Sequence, residues 1–242
     1  MALIHSLETE GNYLFKYRGQ FPLLLFLGAI PVIYFTDYKN YSYAEQLVFT
    51  GISIVISFLG FLIRAYTIGT AAEGTSGRNT QEQIAKTVNT TGIYSILRHP
   101  LYLGNYLIWI GIVLFTFNIY FVIIVTLAYW IYYERIMFAE ERFLEKKFGD
   151  AYIHWSKEVS AFIPSFKKMV PSKNIFSIKI VLRREYSGVL ATVIGFVFID
   201  FLRNSFAENK IIFSETNIYI LIISVAITLL LRTLKHHTKT LN

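Results

Sequence analysis

Six apolar segments, separated by polar stretches, recur along the chain, and each is long enough to enter or cross a membrane. A helix rises about 1.5 Å per residue, so about 20 apolar residues cross a hydrocarbon core about 30 Å thick. The pattern predicts an all-α protein, a polytopic membrane helical bundle with about six transmembrane or membrane-embedded helices. The segments are Phe21–Phe35, Leu47–Ile68, Leu101–Phe117, Tyr120–Phe138, Ser187–Leu202 and Ile218–Leu231. The last two are short, which leaves a shallow hairpin open as an alternative.

Composition agrees with an integral membrane protein. Of the 242 residues, 54% are hydrophobic and 16% charged, whereas a soluble domain has about 25% charged residues. The absence of cysteine excludes disulfides, thiolate nucleophiles and cysteine metal sites. The histidines lack metal-like spacing, so no metal is proposed. The net charge of +7 is typical of nucleic-acid binders too, but the basic residues cluster beside apolar runs, so we expect a membrane partner and no nucleic acid.

The basic residues also predict an orientation. The stretch 140–185 carries ten Lys and Arg residues, against only Lys39, Arg203 and Lys210 on the opposite side. The positive-inside rule then places both termini, the Gly69–His99 loop and the basic stretch in the cytoplasm. The first 20 residues are polar and do not resemble a cleavable signal peptide. The Gly69–Lys86 loop has the composition of a flexible linker, although a loop here could also cover a cofactor.

The third and fourth apolar segments form a predicted hairpin, and Arg98, His99 and Pro100 stand at its start. Proline suits the first turn of a helix, so a helix is expected from Pro100 with His99 at its cap. Cationic side chains and unpaired backbone N–H groups at a helix start favour an anionic or zwitterionic ligand. The alternative is a set of ordinary interfacial residues.

Two carboxylates follow the fourth segment. On an ideal helix Glu140 lies in the middle of an apolar face and Glu141 at its edge. A carboxylate on such a face is costly without a partner, although an amphipathic surface helix is the alternative. The hairpin brings both residues near Arg98 and His99, which predicts a pocket for an amino-acid moiety. Arg64 either joins this pocket or extends to the interface.

Two motifs in these stretches resemble the membrane family of isoprenylcysteine carboxyl methyltransferases and phospholipid methyltransferases. The first is matched by Gly92, Tyr94, Arg98, His99, Pro100, Tyr102 and Gly104, and the second by Glu140, Glu141, Leu144, Phe148, Gly149 and Tyr152. The resemblance covers roughly residues 47–164. It implies S-adenosyl-L-methionine as cofactor, bound on the cytoplasmic side by Thr87, Val88, Tyr94, Arg98, His99, Pro100, Leu101, Tyr102, Glu140 and Glu141.

The resemblance also suggests Arg135 as the catalytic residue that approaches a substrate carboxylate, although an ideal helix turns it away from Glu140. Two positions depart from the family pattern: Lys86 replaces a common histidine, and Trp155 a common tyrosine. The predicted division is an N-terminal segment over residues 1–46, a methyltransferase core over 47–168 and a C-terminal helical hairpin over 169–242. That hairpin is expected to serve substrate choice or assembly, with Asp200 and Arg203 forming a local ion pair.

Methyl transfer to an oxyanion needs no base, whereas an ammonium must first lose a proton. Since no side chain stands as an obvious base, the sequence favours a lipidic carboxylate or phosphate that enters from the bilayer. The basic stretch 167–184 could gather anionic lipids near the entrance. Two alternatives remain: a nicotinamide-dependent lipid or sterol reductase of related fold, which lacks support from a Gly-rich phosphate motif, and a non-catalytic membrane scaffold.

Overall fold

The fold is all-α, as predicted. The computed structural model describes residues 2–72, 75, 83–238 and 240–241, and this part of the chain contains no β-strand. Short 3₁₀ turns lie at Tyr38–Asn40, Gly92–Ser95 and Phe166–Lys168. The α-helices are α1 (Leu3–Tyr17), α2 (Phe21–Phe35), α3 (Tyr43–Thr70), α4 (Pro100–Leu114), α5 (Ile119–Phe148), α6 (Asp150–Glu158), α7 (Ile178–Glu208) and α8 (Glu215–His237).

Each of the six predicted apolar segments lies mainly within a helix, but the helices differ in length. Helices α3, α5, α7 and α8 are long and apolar enough to cross a membrane, and α1 with α2 forms a fifth candidate bent by 80°. Helix α4 has 15 residues, about 22 Å, and is therefore shorter than a hydrocarbon core. The 31 residues of α7 and the 23 of α8 are enough for full spans, which favours two spans over the shallow hairpin.

The short helix α4 packs closely along α3, and small residues make this approach possible. A Cβ atom on Gly60 would lie 2.6 Å from the Gly104 carbonyl oxygen, so a side chain there would separate the helices. The Ser57 hydroxyl donates to the Ile108 carbonyl over 3.0 Å, which adds a polar contact of the kind common between membrane helices. Helix α4 is thus held inside the bundle, where its first residues can form a site.

Contacts at one end of the bundle fix which segments share a side. The Tyr38 hydroxyl donates to the Thr116 carbonyl over 3.0 Å, and the Tyr41 hydroxyl donates to the Phe117 carbonyl over 2.8 Å. The Arg203 guanidinium lies 3.8 Å from the Phe117 ring centroid. The α2–α3 loop, the α4–α5 turn and the end of α7 therefore lie together, while the starts of α2, α4 and α7 lie at the other end.

The expected ion pair between Asp200 and Arg203 is wrong. The Asp200 carboxylate accepts hydrogen bonds from the side-chain amides of Asn204 at 2.8 Å and Asn217 at 2.7 Å. Arg203 instead stacks on aromatic rings and donates to the Phe115 carbonyl over 3.3 Å. Helix spacing allowed the local pair, but Asn217 on α8 lies closer, so Asp200 connects the two helices of the C-terminal hairpin.

Helix α1 was not predicted, because its sequence is polar and short of a full span. It packs against α5 so tightly that a Cβ atom on Gly11 would lie 2.1 Å from the Arg135 carbonyl oxygen. The Tyr132 hydroxyl donates to the Leu14 carbonyl over 3.1 Å, and Phe15 is buried with aromatic residues of α4 and α5. Tertiary contacts, not length, therefore stabilise α1.

The two ends of α7 lie on opposite sides of the bundle, which gives a labelling prediction. Lys173 lies before α7 and Lys210 after it, and both are exposed. Since the chain has no native cysteine, we expect an impermeant thiol reagent added to intact cells to label Lys210→Cys and not Lys173→Cys. The reverse pattern would contradict the cytoplasmic placement of the basic stretch.

Candidate active site

The start of α4 is held by the segment that follows α6. The Arg98 backbone N–H donates to the Ser160 carbonyl over 2.9 Å, and the His99 N–H donates to the Ala161 carbonyl over 3.1 Å. Gly92 has φ +63°, a conformation that favours glycine, and its N–H donates to the Val170 carbonyl over 2.9 Å. The first motif is therefore joined through backbone hydrogen bonds to the segment that follows α6, before any side chain is considered.

Side chains from α4 and α5 then form what we call the Arg98–His99–Glu141 clamp. The His99 Nε2 atom lies 2.8 Å from Glu141 Oε1, and the Arg98 Nε atom lies 2.9 Å from the same oxygen. Arg98 Nη1 also donates to the Ser156 carbonyl. Because a carboxylate oxygen only accepts, the His99 proton must reside on Nε2 in this contact. The clamp fixes the ring of His99, the residue directly before α4, and satisfies the charge of Glu141.

Glu140 has a different environment from its neighbour. Its Oε2 atom accepts a hydrogen bond from the Tyr102 hydroxyl over 2.8 Å and lies 3.7 Å from His99 Nδ1. One third of its side chain is exposed, and it lines a cavity that Glu141 does not reach. Adjacent helix positions point about 100° apart, so Glu141 faces the clamp and Glu140 faces the cavity.

That cavity has a volume of about 600 Å³, within the range typical of small-molecule sites. At its loop end it is lined by the segment that precedes the first motif and by the start of α4. The structure brings together here Thr87, Val88, Tyr94, Arg98, His99, Pro100, Leu101, Tyr102 and Glu140. These are the predicted cofactor residues apart from Glu141, which stands behind the wall in the clamp. Their contact with a cofactor stays a prediction.

The deep end of the cavity contains a buried ion pair between Arg64 of α3 and Glu185 of α7. The Arg64 Nε and Nη2 atoms each lie 2.7 Å from a Glu185 oxygen, and Nη1 donates to Asn105 Oδ1 over 2.6 Å. The sequence had offered Arg64 as an additional pocket residue but missed Glu185. The apolar pattern predicts the fifth segment only from Ser187, whereas α7 begins at Ile178 and so includes Glu185.

Aromatic side chains support the wall between the two ends. The Tyr129 hydroxyl donates to the Tyr102 carbonyl over 2.6 Å, and the rings of Tyr129 and Tyr133 stack with centroids 4.1 Å apart. At the loop end, burial raises the pKa of Tyr94, and the Glu140 charge adds to this effect. Tyr94 is therefore a neutral phenol at physiological pH, available as a hydrogen-bond donor.

Arg135 and Lys86 lie outside this cavity. Arg135 Nε lies 2.8 Å from Glu10 Oε2 and borders a separate apolar groove of about 650 Å³ between α1 and α5. Helix geometry explains this, since residues five apart on α5 do not share a face. The catalytic role of Arg135 stays a prediction. Lys86 is exposed, and residues 73, 74 and 76–82 of the predicted loop lie outside the described residues.

Comparisons with known proteins agree with the two motifs. A family profile described as phospholipid methyltransferase matches residues 46–151. A protein-S-isoprenylcysteine O-methyltransferase from Schizosaccharomyces pombe is 29% identical over 45% of this chain and 48% of its own. A protein of the same name from Saccharomyces cerevisiae is 29% identical over 54% of this chain and 55% of its own.

Another relative carries a different name. The nickel-cobalt-cadmium resistance protein NccN of Alcaligenes xylosoxydans xylosoxydans is 32% identical over 37% of this chain and 39% of its own. The chain thus spans about half the length of the curated relatives it matches. No solved structure matches it significantly. The matched segment ends in the first turn of α6 and before α7, so Glu185 lies outside the family profile.

The clamp predicts a stability effect for one carboxylate. Glu141→Gln should lower the free energy of unfolding by about 1–3 kcal/mol, because Arg98 and the largely buried His99 lose their charged partner. Glu140→Gln should change it little, since the amide oxygen can still accept from Tyr102. Thermal unfolding in detergent would measure both variants. Equal midpoints for the two would contradict the division of roles between the carboxylates.

Proposed function

We propose that this chain, whose residues 46–151 match the phospholipid methyltransferase family profile, transfers a methyl group from S-adenosyl-L-methionine to the oxyanion of a lipidic acceptor. The observation that carries the proposal is the single cavity that joins Glu140 and the α4 start to the membrane-embedded deep end. One end suits a polar cofactor, and the other lies among membrane helices.

The residues of the loop end fit the groups of this cofactor. A carboxylate at Glu140 suits the ammonium of its methionine moiety, and cationic Arg98 with the α4 start suits an anionic group. Two buried polar atoms in the cavity wall have no partner within the described structure: Trp155 Nε1 and Gln83 Oε1. Adenine offers acceptors and donors that could satisfy such a pair.

The charge of the cavity favours an anionic acceptor. Its lining includes four arginines against two glutamates, and the clamp adds one more carboxylate behind the wall. The charged residues are Arg18, Arg64, Arg98 and Arg184 with Glu140 and Glu185. An ammonium lipid would add positive charge to this surplus, whereas a carboxylate or phosphate would reduce it. The name of the two yeast relatives, protein-S-isoprenylcysteine O-methyltransferase, makes a prenylated carboxylate the first acceptor to test.

For this reaction the protein mainly has to align the acceptor oxygen with the methyl group and to exclude water. When bound, the cofactor supplies a methyl group on a sulfonium; the acceptor oxygen forms a bond to that carbon as the carbon–sulfur bond breaks, and no proton moves. The clamp holds the α4 start in place, and the aromatic wall around Tyr102 and Tyr133 restricts water. Glu140 orients an ammonium, and the neutral Tyr94 can donate a hydrogen bond. With the basic stretch in the cytoplasm, as the sequence predicts, the loop end of the cavity opens to the cytoplasm.

Cofactor binding is the first testable consequence. We expect purified protein to bind S-adenosylhomocysteine in isothermal titration calorimetry, and Glu140→Gln to weaken the affinity about 10-fold or more, because a charge-assisted contact is lost. Glu145→Gln is the matched control, since Glu145 lies on the same helix but pairs with Arg142. Unchanged affinity in Glu140→Gln would contradict the assignment. Binding of NADPH instead would favour the reductase alternative.

Turnover is the second consequence. The full-length protein in detergent should transfer radiolabelled methyl from S-adenosylmethionine to N-acetyl-S-farnesylcysteine or to an acidic component of a membrane-lipid extract. Base-labile label would identify a methyl ester. Label found only on lipid amines would contradict an oxyanion acceptor.

A further inference from the structure

The deep end of the cavity holds an arginine whose hydrogen-bonding groups are only partly used. A guanidinium has five N–H bonds in a planar fork. Glu185 takes one from Nε and one from Nη2, and Asn105 takes one from Nη1. Within the described structure, these three contacts leave one N–H of Arg64 on each terminal nitrogen. Arg64, Asn105 and Glu185 all line the cavity.

The burial of this pair calls for an explanation beyond stability. The side chains of Arg64 and Glu185 are 17% and 6% exposed, which makes theirs the most buried ion pair among the described residues. Replacing such a pair with apolar residues is often neutral or stabilising, so a buried pair is weak evidence for a stabilising role. An arginine held rigid beside a cavity is, however, well suited to bind an oxyanion.

Packing around Arg64 further defines its position. A Cβ atom on Gly104 would lie 2.5 Å from Arg64 Cγ, so the glycine of the first motif leaves the space that the arginine stem occupies. Asn105 lies five residues beyond Pro100, about 7.5 Å along α4 from the loop end. The guanidinium therefore lies deeper in the bundle than Arg98, whose Nε and Nη1 are engaged by Glu141 and the Ser156 carbonyl.

We propose that Arg64 binds the oxyanion of the methyl acceptor, and that Glu185 and Asn105 are positioning residues that hold its guanidinium toward the cavity. This inference rests on the proposed function, because it assigns the acceptor half of the same site. It gives α7, which lies outside the family-matched segment, a part in acceptor recognition. A carboxylate and a phosphate share the required chemistry of paired anionic oxygens.

The experiment compares an acid with its uncharged ester, so that general loss of stability does not imitate the effect. Equilibrium dialysis would measure binding of N-acetyl-S-farnesylcysteine and its methyl ester to full-length protein in detergent, with S-adenosylhomocysteine present. We expect the wild type to bind the acid about 10- to 100-fold more tightly, the range for hydrogen bonds to a charged group. Dioleoylphosphatidic acid compared with dioleoylglycerol forms a parallel pair that tests for phosphate.

Two variants test the residues, each with a matched control. Arg64→Lys keeps the charge but loses the fork, so the acid-to-ester ratio should fall to within about threefold of one. Glu185→Asp keeps the charge but shortens the side chain by one methylene, so it should lower the ratio several-fold. Arg183→Lys and Glu208→Asp make the same changes on α7 at residues that do not line the cavity, and both should retain the wild-type ratio.

The outcomes separate this inference from the proposed function. The role of Arg64 would be overturned if the wild type bound the anionic and the uncharged probe of both pairs equally well. It would also be overturned if Arg64→Lys and Glu185→Asp both kept the affinity ratio of the wild type. A ratio that depends on Arg64 for either probe pair would support it and identify the oxyanion. If the wild type failed to bind S-adenosylhomocysteine, the proposed function would fail, while the acid-to-ester comparison without it would still decide the role of Arg64.

Discussion

The contact between the Glu141 carboxylate and the two side chains Arg98 and His99 determines the arrangement of the site. It joins the start of α4 to the last part of α5 at distances of 2.8 and 2.9 Å. Without it, a guanidinium and an imidazole would lose their anionic partner beside a largely buried helix start, which is costly. The backbone pairing of residues 96–99 with 160–165 completes the same connection, so every wall of the loop end depends on this junction.

Two adjacent glutamates on α5 have different surroundings, one in the clamp and the other at the cavity. Successive residues are turned by about 100°, so Glu141 points to the clamp while Glu140 points to the cavity. A carboxylate that is fully paired contributes little to ligand affinity, whereas Glu140 keeps one third of its surface open and can respond to a cation. The same logic separates Arg98, which is engaged in the clamp, from Arg64, which retains donors beside the cavity.

The sequence predicted the apolar helices and the meeting of the two motifs, because both depend on local patterns: long apolar runs and a short connection that forces a hairpin. It did not predict α1, since a polar helix is stabilised by contacts such as Gly11 against the α5 backbone, which no local pattern encodes. Glu185 was missed for a similar reason. Its partner Arg64 lies 121 residues away, and a charged helix start looks like a basic loop.

Spacing along the chain did not show where Arg135 lies. Helical rotation places it beside Glu10 and the groove under α1, and its catalytic role stays a prediction. The division of the chain into core and C-terminal hairpin stays a prediction, and Glu185 brings α7 into the wall of the cavity. A site lined by residues of seven helices and of the loops between them is visible only once their relative positions are known.

The most direct test of the account is an electron cryo-microscopy structure of the protein with S-adenosylhomocysteine. The account predicts ligand density in the cavity, with the amino-acid moiety within hydrogen-bonding distance of Glu140 and the remainder along residues 83–94. The Arg98–His99–Glu141 clamp should be intact, and Arg64 should lie on the membrane side of the ligand sulfur. Density in the groove beside Arg135, with the cavity empty, would contradict it.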